Sequence, residues 1–174
     1  QCLPADLHNR PERITGAVRD KIRAARASGL YGSLFVAYGD CGTGGALDRM
    51  LAEEGVERIA GAHCYEFLAG SAAFERLSDE EPGTFYLTDF LLRHFDRIVI
   101  RGLGIDRFPH LAAQYFGNYR RLVYLAQQPS AERIGAARAA AERLGLAFEA
   151  RQTGLAPLQR ALASANREVI QWAG

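Results

Sequence analysis

The chain has 174 residues, a net charge of +1, and 48% hydrophobic against 24% charged residues. That length suits one domain with a real core, and that balance excludes disorder over the whole chain. The near-neutral charge gives no electrostatic ground for a nucleic-acid or membrane surface, and no stretch approaches the ~18 apolar residues of a membrane span.

The basic residues are almost all Arg, Lys21 being the single Lys. Anion recognition is one reading, because Arg binds carboxylate and phosphate bidentately. A bias spread over every helix favours the plainer one, a compositional habit. Three Cys in a chain without a secretory signature argue against a disulfide scaffold and for reduced thiols, hence a cytoplasmic location.

In chain order, residues 1–3 read as the stump of a strand. Thr15 can cap a helix running to about Ser28, with Val18, Ile22 and Ala25 inward and Gly29 ending it. Residues 33–38 (SLFVAY) form a short apolar run that predicts a buried strand, and Ala46–Glu54 reads as a helix. Residues 56–60 make a weaker strand. Thr88 can cap a helix over 89–95, and residues 97–101 (RIVIR) predict a strand. A segment opening at Asp106 with Pro109 in its first turn reads as helical. Arg121–Ala126 and Ala147–Gln152 predict strands. Ser130 caps the clearest helix, which ends at Gly145, and residues 157–172 are amphipathic, with Trp172 as a core anchor. This alternation predicts one α/β domain over residues 1–174: three layers, a mainly parallel sheet flanked by helices, Rossmann-like in kind.

In open α/β sheets ligands bind beyond the carboxyl ends of the strands. Three segments with reactive residues fall there or near it. Residues 38–45 (YGDCGTGG) hold Asp40, Cys41, Gly42, Gly44 and Gly45 in a strand-to-helix loop. Glycines permit close backbone approach to a ligand, and the following helix offers free N–H groups. A thiol there would have a lowered pKa. The plainer reading is a tight turn with an inert Cys, and the loop matches neither the Walker nor the dinucleotide fingerprint. His63, Cys64 and Glu66 follow the next strand and are all metal-ligand types, although adjacent His and Cys rarely hold one ion together. A helix start with Cys64 packed inward is the alternative. His8, followed by Arg10, could ligate a metal or move a proton, or simply bond the backbone of a turn. Residues 83–89 (GTFYLTD) read as an aromatic loop that either covers a flat ligand or packs. Cys2 is expected in the core.

The stretches LPADLHNRPERI, YGDCGTGGALD, HCYEFLAG, PGTFYLTDFLLRHFD and FGNYRRLVYLAQ together resemble the family known as domain of unknown function 1638, from Leu3 to about Gly154. Members of that family begin with a further strand bearing an Ala-Cys-Gly-Ala-Leu type motif, so the resemblance implies an N-terminally truncated chain. It also implies an association with corrinoid-dependent methyltransferases and anaerobic one-carbon or methylamine metabolism. Carried over, the matching residues are His8, Cys41, His63 and Cys64, with Glu66 nearby. Thiolates at Cys41 and Cys64 with His8 or His63 would suit zinc or an iron–sulfur centre, or would serve a bound cofactor such as a corrinoid. Two alternatives stand beside this expectation. In one the protein is a non-catalytic partner of a corrinoid methyltransferase. In the other Cys41 is a nucleophile, His63 or His8 moves the proton, and the N–H groups of residues 42–45 stabilise negative charge.

Overall fold

The computed structural model describes residues 2–171, with side chains described as far as Ala163. Its five strands are β1 (Phe35–Val36), β2 (Glu57–Arg58), β3 (Thr84–Thr88), β4 (Arg121–Ala126) and β5 (Ala147–Gln152). The helices are α1 (Pro11–Ala27), α2 (Ala46–Glu54), α3 (Cys64–Ala69), α4 (Ser71–Glu80), α5 (Asp89–Arg93), α6 (Leu111–Phe116), α7 (Ala131–Leu144) and α8 (Ala156–Gln171). A short 3-10 turn covers Ala5–Asn9 and a π-helical turn covers Asp96–Arg101.

Every strand pairing is parallel, as expected, but the strands form two sheets rather than one. β1 pairs with β2, and β3, β4 and β5 pair in that order. Along β4 the side chains divide by period two. Leu122, Tyr124 and Ala126 join Leu91, Phe95, Ala137 and Ala141 on one face, while Val123 and Leu125 join Ala69, Leu77 and Tyr86 on the other. Both faces are thus covered by helices, the Rossmann-like three-layer arrangement. A third cluster packs Ile14, Val18 and Ile22 of α1 against Leu47, Met50 and Leu51 of α2. Arg23 and Arg26 of α1 both bond the Glu54 carboxylate, at 3.0 and 2.9 Å, so part of the Arg excess clamps helix to helix.

Four sequence expectations change. The RIVIR run is helical, not a strand. Ile98, Val99 and Ile100 are all buried, and a short, uniformly apolar run cannot distinguish a buried strand from a buried helix. Asn9 donates its side-chain amide to Ile98 O at 2.6 Å, which takes a carbonyl out of the regular helical ladder. Gly102 follows because a β-carbon there would lie 2.2 Å from Ile98 O and 2.5 Å from Asn9 Nδ2.

The strand comes instead at β3, from the segment read as an aromatic loop. α1 begins at Pro11 rather than after Thr15, because proline's fixed φ and missing N–H suit a first helical position. Cys2 and Leu3 lie outside any strand, and Cys2 is exposed rather than in the core. Gln1 and Trp172 lie outside the described residues. The caps hold as read: Thr88 Oγ1 accepts from Leu91 N, and Ser130 Oγ from Arg133 N, both at 3.2 Å. Among the described residues no helix is long and apolar enough to cross a membrane.

Candidate functional site: a thiol pair beside an apolar cavity

Because β1 and β2 are parallel neighbours, the loops that follow them emerge side by side. Backbone bonds join the loops: Cys41 N donates to Ala62 O at 2.8 Å, and Asp40 N to Gly61 O at 3.3 Å. Arg58 braces the same region. Its guanidinium pairs with Asp48 of α2 and also donates to Ile59 O and Gly61 O, at 2.8 and 3.0 Å. Gly39 is needed for the approach, since a β-carbon there would sit 3.0 Å from the His63 carbonyl carbon and 3.3 Å from Cys41 Sγ.

Cys41 has φ 48, and among the described residues it is the one non-glycine residue with positive φ. For an L-residue that conformation costs about 1–2 kcal/mol. The neighbouring Cys64 thiol, then the backbone N–H groups of Cys64 and Gly39, favour the thiolate of the sulfur it presents and outweigh burial, holding Cys41 at about 7. Cys64 is pushed strongly upward, first by its bond to Cys41 and then by burial, so it remains the neutral donor of the pair. Both thiols are free.

The pair lines a cavity of about 720 Å³. One wall is residues 34–39, which include β1. Cys64, Phe67 and Leu68 come from α3, Val18 and Ile22 from α1, and Thr88 and Phe90 from the end of β3 and the start of α5. Its surface is mostly apolar. Among the described residues Lys21 is the single cationic side chain on it, with no Asp, Glu or Arg. His8 stands on the exposed rim, where surrounding protein lowers its pKa by desolvation and favours the neutral imidazole. Tyr38 keeps its phenol proton: burial, then the neighbouring Cys41 and Cys64, pushes it up to about 12.

Other residues singled out in the sequence do different work. Asp40 turns inward on its own loop and accepts from Thr43 Oγ1, Gly44 N at 3.2 Å and Gly45 N at 3.0 Å. Those bonds lower its pKa and occupy two of the N–H groups expected to meet a ligand. Gly42, at φ 86, carries the turn between them. Glu66 accepts from Ala62 N at 3.0 Å and Ser71 Oγ at 3.1 Å, which ties the loop before α3 to the start of α4. It lines a separate cleft of about 250 Å³ with Pro157 and Arg160. His63 is exposed at the N-terminal end of α3, 6.3 Å ring to ring from Tyr65, and does not line the thiol cavity.

The residues expected to hold a metal, His8, Cys41 and Cys64, all line this cavity, and among the described residues no group of three or more His, Cys, Asp or Glu side chains close enough to hold an ion is found. Tyr38 and Phe67 lie in segments the sequence singles out but were given no role at the site, and Phe90 was not expected there. Tyr38 was within reach of sequence reasoning, as the last residue of the predicted strand and two before Asp40.

These features define an α/β protein of parallel strands with a thiolate–thiol pair at the carboxyl ends of two adjacent strands. The chain belongs to the family described as protein of unknown function (DUF1638), whose model matches residues 2–162. No curated protein and no solved structure matches it.

Proposed function

We propose that the protein accepts an alkyl group on the Cys41 thiolate from a largely apolar small molecule held in the cavity. The observation that carries this reading is the strained Cys41, which stands with Cys64 at the wall of that cavity. Strain of this kind concentrates at reactive positions.

Alkyl transfer is favoured over acyl transfer by one feature. Acyl chemistry develops an oxyanion that needs preorganised donors. The Gly44 and Gly45 N–H groups are taken by Asp40, and the Cys64 and Gly39 N–H groups face the sulfur itself. Displacement at an alkyl carbon needs no such hole. The S–C bond forms as the carbon–leaving-group bond breaks, and the leaving group keeps the electron pair. A methyl donor is the simplest substrate of this class and agrees with the one-carbon setting that the family resemblance implies. Among the described residues Lys21 is the cavity's one cation and no carboxylate lines it, which favours a neutral or monoanionic donor.

Iodoacetamide labelling across pH, read by peptide mass mapping, tests this. Cys41 is expected to react fastest of the three thiols, with a rate midpoint near pH 7. Faster labelling of Cys2 or Cys64, or a Cys41 midpoint at or above the ~8.5 of a free thiol, would overturn the reading.

A further inference from the structure

We propose that Cys41 and Cys64 are also a redox couple, in which a peroxide oxidises Cys41 and Cys64 resolves the product into an intramolecular disulfide. The inference rests on the same accessible Cys41 thiolate as the alkyl-acceptor reading and gives Cys64 a chemical role of its own.

Geometry carries it. Cys41 and Cys64 line one cavity, the position of a Gly39 β-carbon would lie 3.3 Å from Cys41 Sγ and 3.2 Å from Cys64 N, and the two loops are fastened together by the Cys41 N–Ala62 O and Asp40 N–Gly61 O bonds. A resolving thiol is effective when held beside the oxidised one, because ring closure then competes with further oxidation. The site is open enough for a small oxidant, since Cys41 is only partly buried and lines the cavity.

The steps balance. The Cys41 thiolate attacks the O–O bond of the peroxide. An S–O bond forms, the O–O bond breaks, and the leaving alkoxide or hydroxide takes a proton from solvent. Cys41 is then a sulfenic acid. Cys64 gives up its proton and its sulfur attacks the Cys41 sulfur. The S–S bond forms and the S–O bond breaks, releasing water. Two thiols are oxidised by two electrons and the peroxide is reduced. The first step also frees the second. The bond to Cys41 is the largest cause of the raised Cys64 pKa, and the adjacent negative charge adds to it. Conversion of Cys41 to a neutral sulfenic acid removes that charge. Because closure takes both thiols from the cavity wall, the disulfide would switch off alkyl acceptance until a thiol reductant restored it.

Hydrogen peroxide at low molar excess, followed by alkylation and peptide mapping of the wild-type protein, is the test. The expected product is a Cys41–Cys64 cross-link lighter by two hydrogen atoms, with Cys2 still alkylated, and dithiothreitol should return both thiols. Cys64→Ser should halt at the Cys41 sulfenic acid, trapped by dimedone. A wild-type protein that proceeds to sulfinic acid at Cys41 with Cys64 still free would overturn the couple, as would a cross-link to Cys2. Labelling of the untreated protein reports separately on the alkyl-acceptor reading. Rapid alkylation of Cys41 without the cross-link refutes the couple alone, and slow alkylation at neutral pH refutes that reading.

Discussion

Replacing Asp89 with Ala is expected to lower the free energy of unfolding by about 3–5 kcal/mol, more than any change at the thiol site. Asp89 opens α5 directly after β3, and its carboxylate collects four donors. These are Tyr124 Oη at 2.7 Å, Gln128 N at 2.9 Å, Arg133 Nη1 at 3.1 Å and Gln127 N at 3.2 Å. Tyr124 is 0% exposed and sits at the centre of β4, so its hydroxyl has no water to turn to. Asp89 N in turn donates to Gln127 Oε1 at 3.0 Å. One side chain therefore joins the ends of β3 and β4 to the first turn of α7. Hydrogen bonds to a charged group contribute about 1.5–3 kcal/mol each, and removal of their shared acceptor leaves several donors unsatisfied at once. Asp89→Asn should retain part of the network and lose less. Urea unfolding with an unchanged m-value is the measurement. A loss below about 1 kcal/mol for Asp89→Ala, the range of an ordinary surface pair, would contradict the assignment.

The second large effect is on reactivity. Cys64→Ala should move the pH midpoint of Cys41 alkylation upward from about 7 to at least the ~8.5 of a free thiol. The sign follows from the donor. The Cys64 thiol is the largest stabilising contact of the Cys41 thiolate, and without it burial, which disfavours the charged form, stands less opposed. At pH 7 the thiolate fraction would fall roughly fifteenfold. A more basic thiolate is intrinsically more nucleophilic, and with a Brønsted slope of about 0.4–0.5 it regains about fivefold. The net rate change is therefore modest and the midpoint is the decisive readout. Cys64→Ser keeps an O–H donor and should leave the midpoint near that of the wild type. An unmoved midpoint in Cys64→Ala would show that the backbone N–H groups alone set the pKa.

The sequence was most legible where local chemistry and tertiary packing agree. β4 and β5 announce themselves by apolar content and alternation, and α7 by a serine cap, a small-residue face and Gly145, which lies at φ 69 as a terminating glycine should. It misled where packing decides. The RIVIR run, expected as a strand, is helical, and the TFYLT run, expected as a loop, is a strand, because an all-buried turn of helix is as apolar as a strand, and a strand flanked by Gly83 and Asp89 looks like a loop. The parallel pairing was readable, yet the division into two sheets was not, since residue pattern says nothing about which strands fail to meet.

The same limit applies to the site. The Cys41 and Cys64 loops were readable as neighbours from the carboxyl-edge rule, and they are. Asp40, Glu66 and His63 carry types that chemistry and architecture share, and only three-dimensional contacts reveal which use prevails. Asp40 and Glu66 spend their carboxylates on loop N–H groups, and His63 faces solvent. The aromatic wall came from elements chosen for packing, so no local signal marked Phe67 or Phe90.

Position 41 sets chemistry and durability at odds. A glycine would sit at φ 48 without complaint, and selection for a sturdier fold alone would drift toward it, gaining about 1 kcal/mol. The sulfur survives there only against that pull. A programme that hardened this protein by relaxing the backbone at position 41 would thus be expected to yield a tougher molecule without its reactive sulfur.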